Sequence, residues 1–130
     1  MEGDEESAAA TQKFYDEYRS VCDMTAEFYL QTVEVVFQKH SLPDGTLMHR
    51  GHKVDPKAIK DTALLAIEGE RDDISGIGQT KAALEIATGL TGSKKQYYLA
   101  KDVGHYGIFN GRKWRERIAP VVEDWIAANS

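Results

Sequence analysis

The chain has one cysteine, three prolines, no long apolar run and little charge imbalance beyond its first six residues, and each shortage removes a class of protein. A lone Cys22 closes no internal disulfide, so stability must come from packing and a reducing, cytoplasmic setting is expected. No stretch approaches the roughly 20 apolar residues that span a bilayer, and no secretory apolar run is present. Of 21 acids, Glu2, Asp4, Glu5 and Glu6 carry four, which leaves 17 against 16 bases. That balance leaves no basic face for nucleic acid and no polybasic membrane signal. His49 and His52 flank Gly51 in a hairpin turn sequence, with no Cys or acid at ligand-like spacing, so no metal site is expected. Gly76-Ile77-Gly78 begins like a dinucleotide fingerprint but has Lys81 where the last small residue belongs, so no organic cofactor is expected. Missing too is a nucleophile elbow. Neither Ser75, in Asp73-Ile74-Ser75-Gly76-Ile77, nor Cys22, in Ser20-Val21-Cys22-Asp23-Met24, has the required glycines on both sides.

What is present is enough apolar content, 42%, for a real core and a regular alternation of elements. Residues 1–11 are acidic and rich in small residues without an apolar period, and predict a disordered tail. Gln12–Tyr18 reads as a short helical piece. Over Thr25–Lys39, Ala26, Leu30, Val33 and Phe37 recur at helical offsets, with Tyr29 and Val36 widening the stripe. Ser41–Gly45 is a turn, Thr46–Val54 a hairpin turning at Arg50-Gly51, and Asp55-Pro56 starts a helical turn. Thr62–Glu68 has the unbroken apolar character of a buried parallel strand. A helix over residues 75–90, capped by Ser75, would bury Ile77, Thr80, Ala83, Leu84, Ala87 and Leu90. Gln96–Leu99 is a second strand. A last helix, capped by Asn110, places Trp114, Ile118, Val121, Val122, Trp125 and Ile126 on one face, with a kink expected at Pro120. Strand, helix, strand and helix in that order predict the α/β class.

Two candidates carry chemistry. Asp72 lies just beyond the end of the first strand, where open α/β sheets place their sites. His105 lies between Gly104 and Gly107, which allow a sharp turn and close approach. In hydrolase triads the acid precedes the histidine along the chain, as Asp72 precedes His105. The bland alternative makes the acid a helix cap and the histidine a loop residue. Asp73 or Ser75 is free to serve as that cap, which leaves Asp72 for the imidazole. Asp102 is the rival acid, but it shares a loop with His105, whereas a separate strand end braces an imidazole better.

Phe14–Tyr18 (FYDEY), Ala26–His40 (AEFYLQTVEVVFQKH), Val54–Ile59 (VDPKAI), Glu68–Thr80 (EGERDDISGIGQT) and Gly104–Gly111 (GHYGIFNG) strongly resemble the C-terminal region of intracellular polyhydroxyalkanoate (polyhydroxybutyrate) depolymerases. The resemblance runs from about Phe14 to the end of the chain. It implies an α/β-hydrolase fold, with residues 12–45 as a helical cap segment and 46–130 as the last two strands and helices. It matches Asp72 to the triad acid and His105 to the triad base of an ester hydrolase that cuts stored bacterial polyester, with no cofactor. The Ser or Cys nucleophile is then expected in a preceding half, and this chain alone is expected to be inactive. The implied partner is the polyester or its granule surface, and self-association is expected through an open edge of the Thr62–Glu68 strand. The alternatives are a non-catalytic protein that binds granules or a full-length partner, and the equivalent region of a polyester synthase.

Overall fold

Valine-rich and aromatic stretches that would suit either a helix or a strand resolve into helices in the first third of the chain. In the computed structural model, residues 2–130 are described, with side chains from Ser7 onward. The chain divides into two units, Met1–Asp44 and Gly45–Ser130. In the first, α1 (Glu2–Arg19) is one continuous helix. The tail expected to be disordered over residues 1–11 is therefore helical from residue 2, and Met1 lies outside the described residues. Ala8-Ala9-Ala10 and the following Gln12 and Lys13 are among the better helix formers, which favours continuation of the downstream helix through them. After a break, α2 (Ala26–Thr32) starts at Thr25, whose hydroxyl accepts the Phe28 N–H at 3.3 Å. It widens into a π-helical segment, Val33–Gln38. His40 takes a left-handed φ of 47° and the Ser41 N–H reaches back to the Val35 carbonyl at 2.9 Å, a Schellman-type stop.

The second unit begins with a tight hairpin of β1 (Met48–His49) and β2 (His52–Lys53). Arg50 and Gly51 both have positive φ, as a two-residue primed turn requires. Asp55 caps a short 3₁₀ turn, Pro56–Ala58, through the Lys57 N–H.

The centre of this unit is a parallel pair, β3 (Leu64–Gly69) and β4 (Lys95–Ala100), in register Leu64 to Lys95 through Gly69 to Ala100. Parallel pairing needs a crossover, and the connection contains α3 (Ala82–Ile86). Helices and small sheets of mixed type are compatible with the expected α/β class. One sheet face packs on the last helix: Ala100, Val103 and Ile118 are buried together, with Ile67, Tyr98, Ile108, Trp114 and Val122 against them. Ile118 is fully enclosed, worth about 1.5–3 kcal/mol of hydrophobic burial.

The crossover departs from expectation. Instead of a helix over residues 75–90, turns run to Lys81 and only Ala82–Ile86 is α-helical. Ala87 and Leu90 are buried as expected and Leu84 is half-buried, but Ile77, Thr80 and Ala83 face solvent. Helix onset is delayed because the N–H groups of this segment bond to a carboxylate on β3, described below. The last helix is built from α4 (Gly111–Lys113), a π segment (Trp114–Ile118) and α5 (Ala119–Ala128). Asn110 occupies the cap position but makes no side-chain cap bond. The π turn lies immediately before Pro120, where the Ala119 N–H bonds to Trp114. The wider turn fits the site where proline supplies no N–H to the ladder.

Candidate functional site

Because β3 and β4 are parallel and in register, their C-terminal ends release two loops side by side. The loops are joined by backbone hydrogen bonds: the Glu70 N–H donates to the Ala100 carbonyl at 3.0 Å and the Arg71 N–H to the Val103 carbonyl at 2.9 Å. Asp72 follows on the first loop. On the second, His105 opens a short 3₁₀ turn, His105–Ile108. Gly104 ahead of it has an extended conformation, so the expected sharp turn is not made there.

This arrangement brings Asp72 and His105 together, Oδ2 to Nδ1 at 2.9 Å. The Asp72 side chain is 2% exposed, the imidazole 33%. The other Asp72 oxygen, Oδ1, accepts the N–H groups of Ile74 (2.9 Å) and Ser75 (2.8 Å). Asp72 is therefore both the turn cap and the partner of the imidazole. The cap expected from Asp73 or Ser75 is supplied by Asp72, and Ser75 contributes its N–H. Burial pushes the Asp72 carboxyl up. The bonds from Ser75, His105 and Ile74 outweigh it and hold the group below the ordinary aspartate value of 3.8. With a carboxylate at Nδ1, the imidazole is favoured with its proton there, which leaves Nε2 as the basic atom. The Tyr106 ring meets the His105 ring edge-on, with centroids 5.6 Å apart. The same loops carry Ile74 and Phe109 exposed at 55% and 70%, so apolar surface is available beside the pair.

Asp102 is engaged elsewhere. Its carboxylate pairs with Arg71, its N–H donates to Glu70 at 2.9 Å, and Lys113 donates to its carbonyl at 2.5 Å. Its φ is 59°, a left-handed conformation that aspartate tolerates better than most residues. Asp73 is exposed. Among the described residues no three of His, Cys, Asp and Glu gather as a metal site, and His49 and His52 face each other across the hairpin. Cys22 is an exposed free thiol. A cavity of about 320 Å³ opens against Tyr98, Val103, Arg117 and Ile118, and neither Asp72 nor His105 lines it.

One functional-looking group is absent from the sequence reading. Glu68, at the buried end of β3, is 2% exposed. Its Oε2 accepts the Gly78 N–H (2.8 Å) and the Tyr97 hydroxyl (2.5 Å); Oε1 accepts the N–H groups of Thr80 (2.6 Å) and Lys81 (2.9 Å). Burial pushes this carboxyl up, but these four donors bring it below the ordinary 4.5. The same bond, with burial and the nearby negative charge, pushes the Tyr97 hydroxyl up to about 12. The available signal was the parity of the strand: Glu68 shares the Ala66 face, and a buried acid there demands donors.

Both carboxylates bind a proton less readily when folded than when unfolded. Their contribution to stability is complete above the ordinary values of 4.5 and 3.8 and is lost as pH falls through the lowered folded values. Urea midpoints should therefore fall more steeply for the wild type than for Glu68→Gln between about pH 5 and pH 2. Parallel curves for the two proteins would show that Glu68 carries no such linkage.

The profile of the family described as PHB de-polymerase C-terminus matches residues 1–130. No curated protein and no solved structure matches the chain.

Proposed function

This chain belongs to the family of PHB depolymerase C-termini, which ties its parent protein to hydrolytic depolymerisation of PHB, and from that premise we propose that Asp72 and His105 are the acid and base of an ester-cleaving triad. The observation that carries the reading is the 2.9 Å contact between His105 Nδ1 and a nearly enclosed Asp72 carboxylate, delivered from the ends of two parallel strands. Such a pair of strand ends also suits the last two strands of an α/β-hydrolase sheet.

His105 Nε2 takes the proton of a Ser or Cys nucleophile supplied from outside this chain, and the nucleophile bonds to the ester carbonyl carbon. Asp72 keeps Nδ1 protonated, orients the ring and stabilises the imidazolium. Collapse of the tetrahedral intermediate breaks the bond to the alcohol oxygen of the next hydroxyacid unit, which receives the proton from Nε2. Water, deprotonated by the same nitrogen, then attacks the acyl group, and the nucleophile leaves with its proton. The exposed apolar side chains beside the pair provide contact area for the hydrocarbon part of a 3-hydroxyacyl chain.

The test is release of soluble 3-hydroxybutyrate or its oligomers from amorphous polyester granules by the full-length protein. Release is expected, and it should disappear in His105→Ala. An active preparation whose release survives that substitution undiminished sinks the reading.

A further inference from the structure

We infer that Glu68 is a positioning residue for the imidazole: its buried carboxylate clamps the loop at Gly78–Lys81 and, through that loop, holds Asp72 against His105. The catalytic consequence rests on the reading of Asp72 and His105 given above. The clamp itself rests on geometry alone.

The loop from Asp73 to Lys81 has little reason of its own to be rigid. It contains Gly76 and Gly78, the latter at φ 101°, and exposes Ile74 and Ile77. What orders it is hydrogen bonding at both ends. At its start, Asp72 Oδ1 accepts Ile74 and Ser75. At its end, Glu68 accepts Gly78, Thr80 and Lys81. Between them the Gln79 N–H donates to the Gly76 carbonyl at 3.1 Å, so the two ends are linked by consecutive bonds. The position of the Ile74–Ser75 peptide, which fixes one oxygen of Asp72, thus depends on where Glu68 holds Gly78. The other oxygen of Asp72 is the one that meets His105.

Four donors converge on Glu68, two on each oxygen. Glutamine retains the shape but replaces one oxygen by an amino group; turned toward Tyr97, whose hydroxyl can accept from it, that group still meets the Gly78 N–H donor to donor. The loop end is released while the strand, the core around Ile118 and both triad candidates stay chemically intact.

In the full-length protein, Glu68→Gln is expected to broaden or abolish the proton NMR signal of the His105 Nδ1–H and to speed its exchange with solvent. On a soluble 3-hydroxybutyrate oligomer it should lower kcat by about 10²-fold, the cost of displacing a catalytic group by an ångström, with KM nearly unchanged. Tyr97→Phe removes one of the four donors and leaves the three N–H contacts. It should give the same two changes at smaller size and serves as the reporter if Glu68→Gln does not fold. Glu68→Asp should restore part of the signal. An unaltered Nδ1–H resonance and unaltered kcat in a folded Glu68→Gln or Tyr97→Phe protein overturn the inference, even if stability falls. Should Asp72→Asn leave turnover intact, the triad reading fails, while the NMR response to Glu68→Gln still decides the clamp.

Discussion

In the full-length protein, His105→Ala and Asp72→Asn are each expected to lower kcat by about 10⁴-fold under the proposed roles, because members of a triad act as a unit and removal of any one disables the proton path. The two substitutions fail for different reasons. Alanine at 105 removes the nitrogen that accepts the nucleophile's proton. Asparagine at 72 keeps the size of the side chain and its acceptor toward Ile74 and Ser75, but then presents an amide donor to Nδ1. An imidazole facing an amide donor turns its lone pair to Nδ1 and protonates Nε2, which is the wrong tautomer for a base. Asp102→Asn gives the contrast. Asp102 is exposed, pairs with Arg71 and makes no bond to His105, so its neutralisation should change kcat by less than about tenfold, as for an exposed pair. Asp73→Asn should behave likewise. Steady-state kinetics on a soluble oligomer ranks the four variants, and a greater loss at Asp102 than at Asp72 would falsify the assignment of the acid.

The pairing of Asp72 with His105 was legible in the sequence because both stand just past apolar runs that form strands, and strand ends are easy to locate. Parallel pairing then brings two strand ends to one edge, so the contact between residues far apart in sequence followed from topology. Glu68 was not legible, since an acid at the end of an apolar run reads as the end of the strand. In the structure β3 continues through Gly69, and Glu68 is buried among donors that become visible only when the crossover is folded over it. The same bonds explain the shortened crossover helix. N–H groups that a helix would satisfy internally go to a carboxylate from another element, so apolar periodicity overstated the helix. At the last helix Pro120 predicts a kink, and the structure has a π turn over Trp114–Ile118 just before it, which also relieves a missing donor. The helix over residues 2–11 has a simpler reason: lack of an apolar face is evidence against burial, and the alanine run there favours helix regardless.

Gly69→Ala is expected to destabilise the second unit by about 3 kcal/mol, at the upper end of the usual cost of overpacking, and to abolish activity. A methyl group at residue 69 would stand 2.5 Å from the Val103 carbonyl oxygen and 3.2 Å from its carbon. These are backbone atoms, so no side-chain rotation relieves the clash. That oxygen also accepts the Arg71 N–H at 2.9 Å, the bond that joins the loop bearing Asp72 to the loop bearing His105. Moving Val103 aside therefore breaks this bond and disturbs a residue that is 3% exposed in the core with Ala100 and Ile118. It also carries His105, two residues on, away from Asp72. Gly92→Ala is the control, since a methyl group there meets nothing within 4 Å. It should leave stability within about 1 kcal/mol of wild type, in the direction of a gain from a stiffer unfolded chain. Urea unfolding of both variants, followed by turnover measured on whatever remains folded, separates the two effects. A Gly69→Ala protein as stable as Gly92→Ala would mean that the two loops do not approach as closely as the 2.5 Å contact requires, and the 2.9 Å pairing of Asp72 with His105 would lose its structural basis.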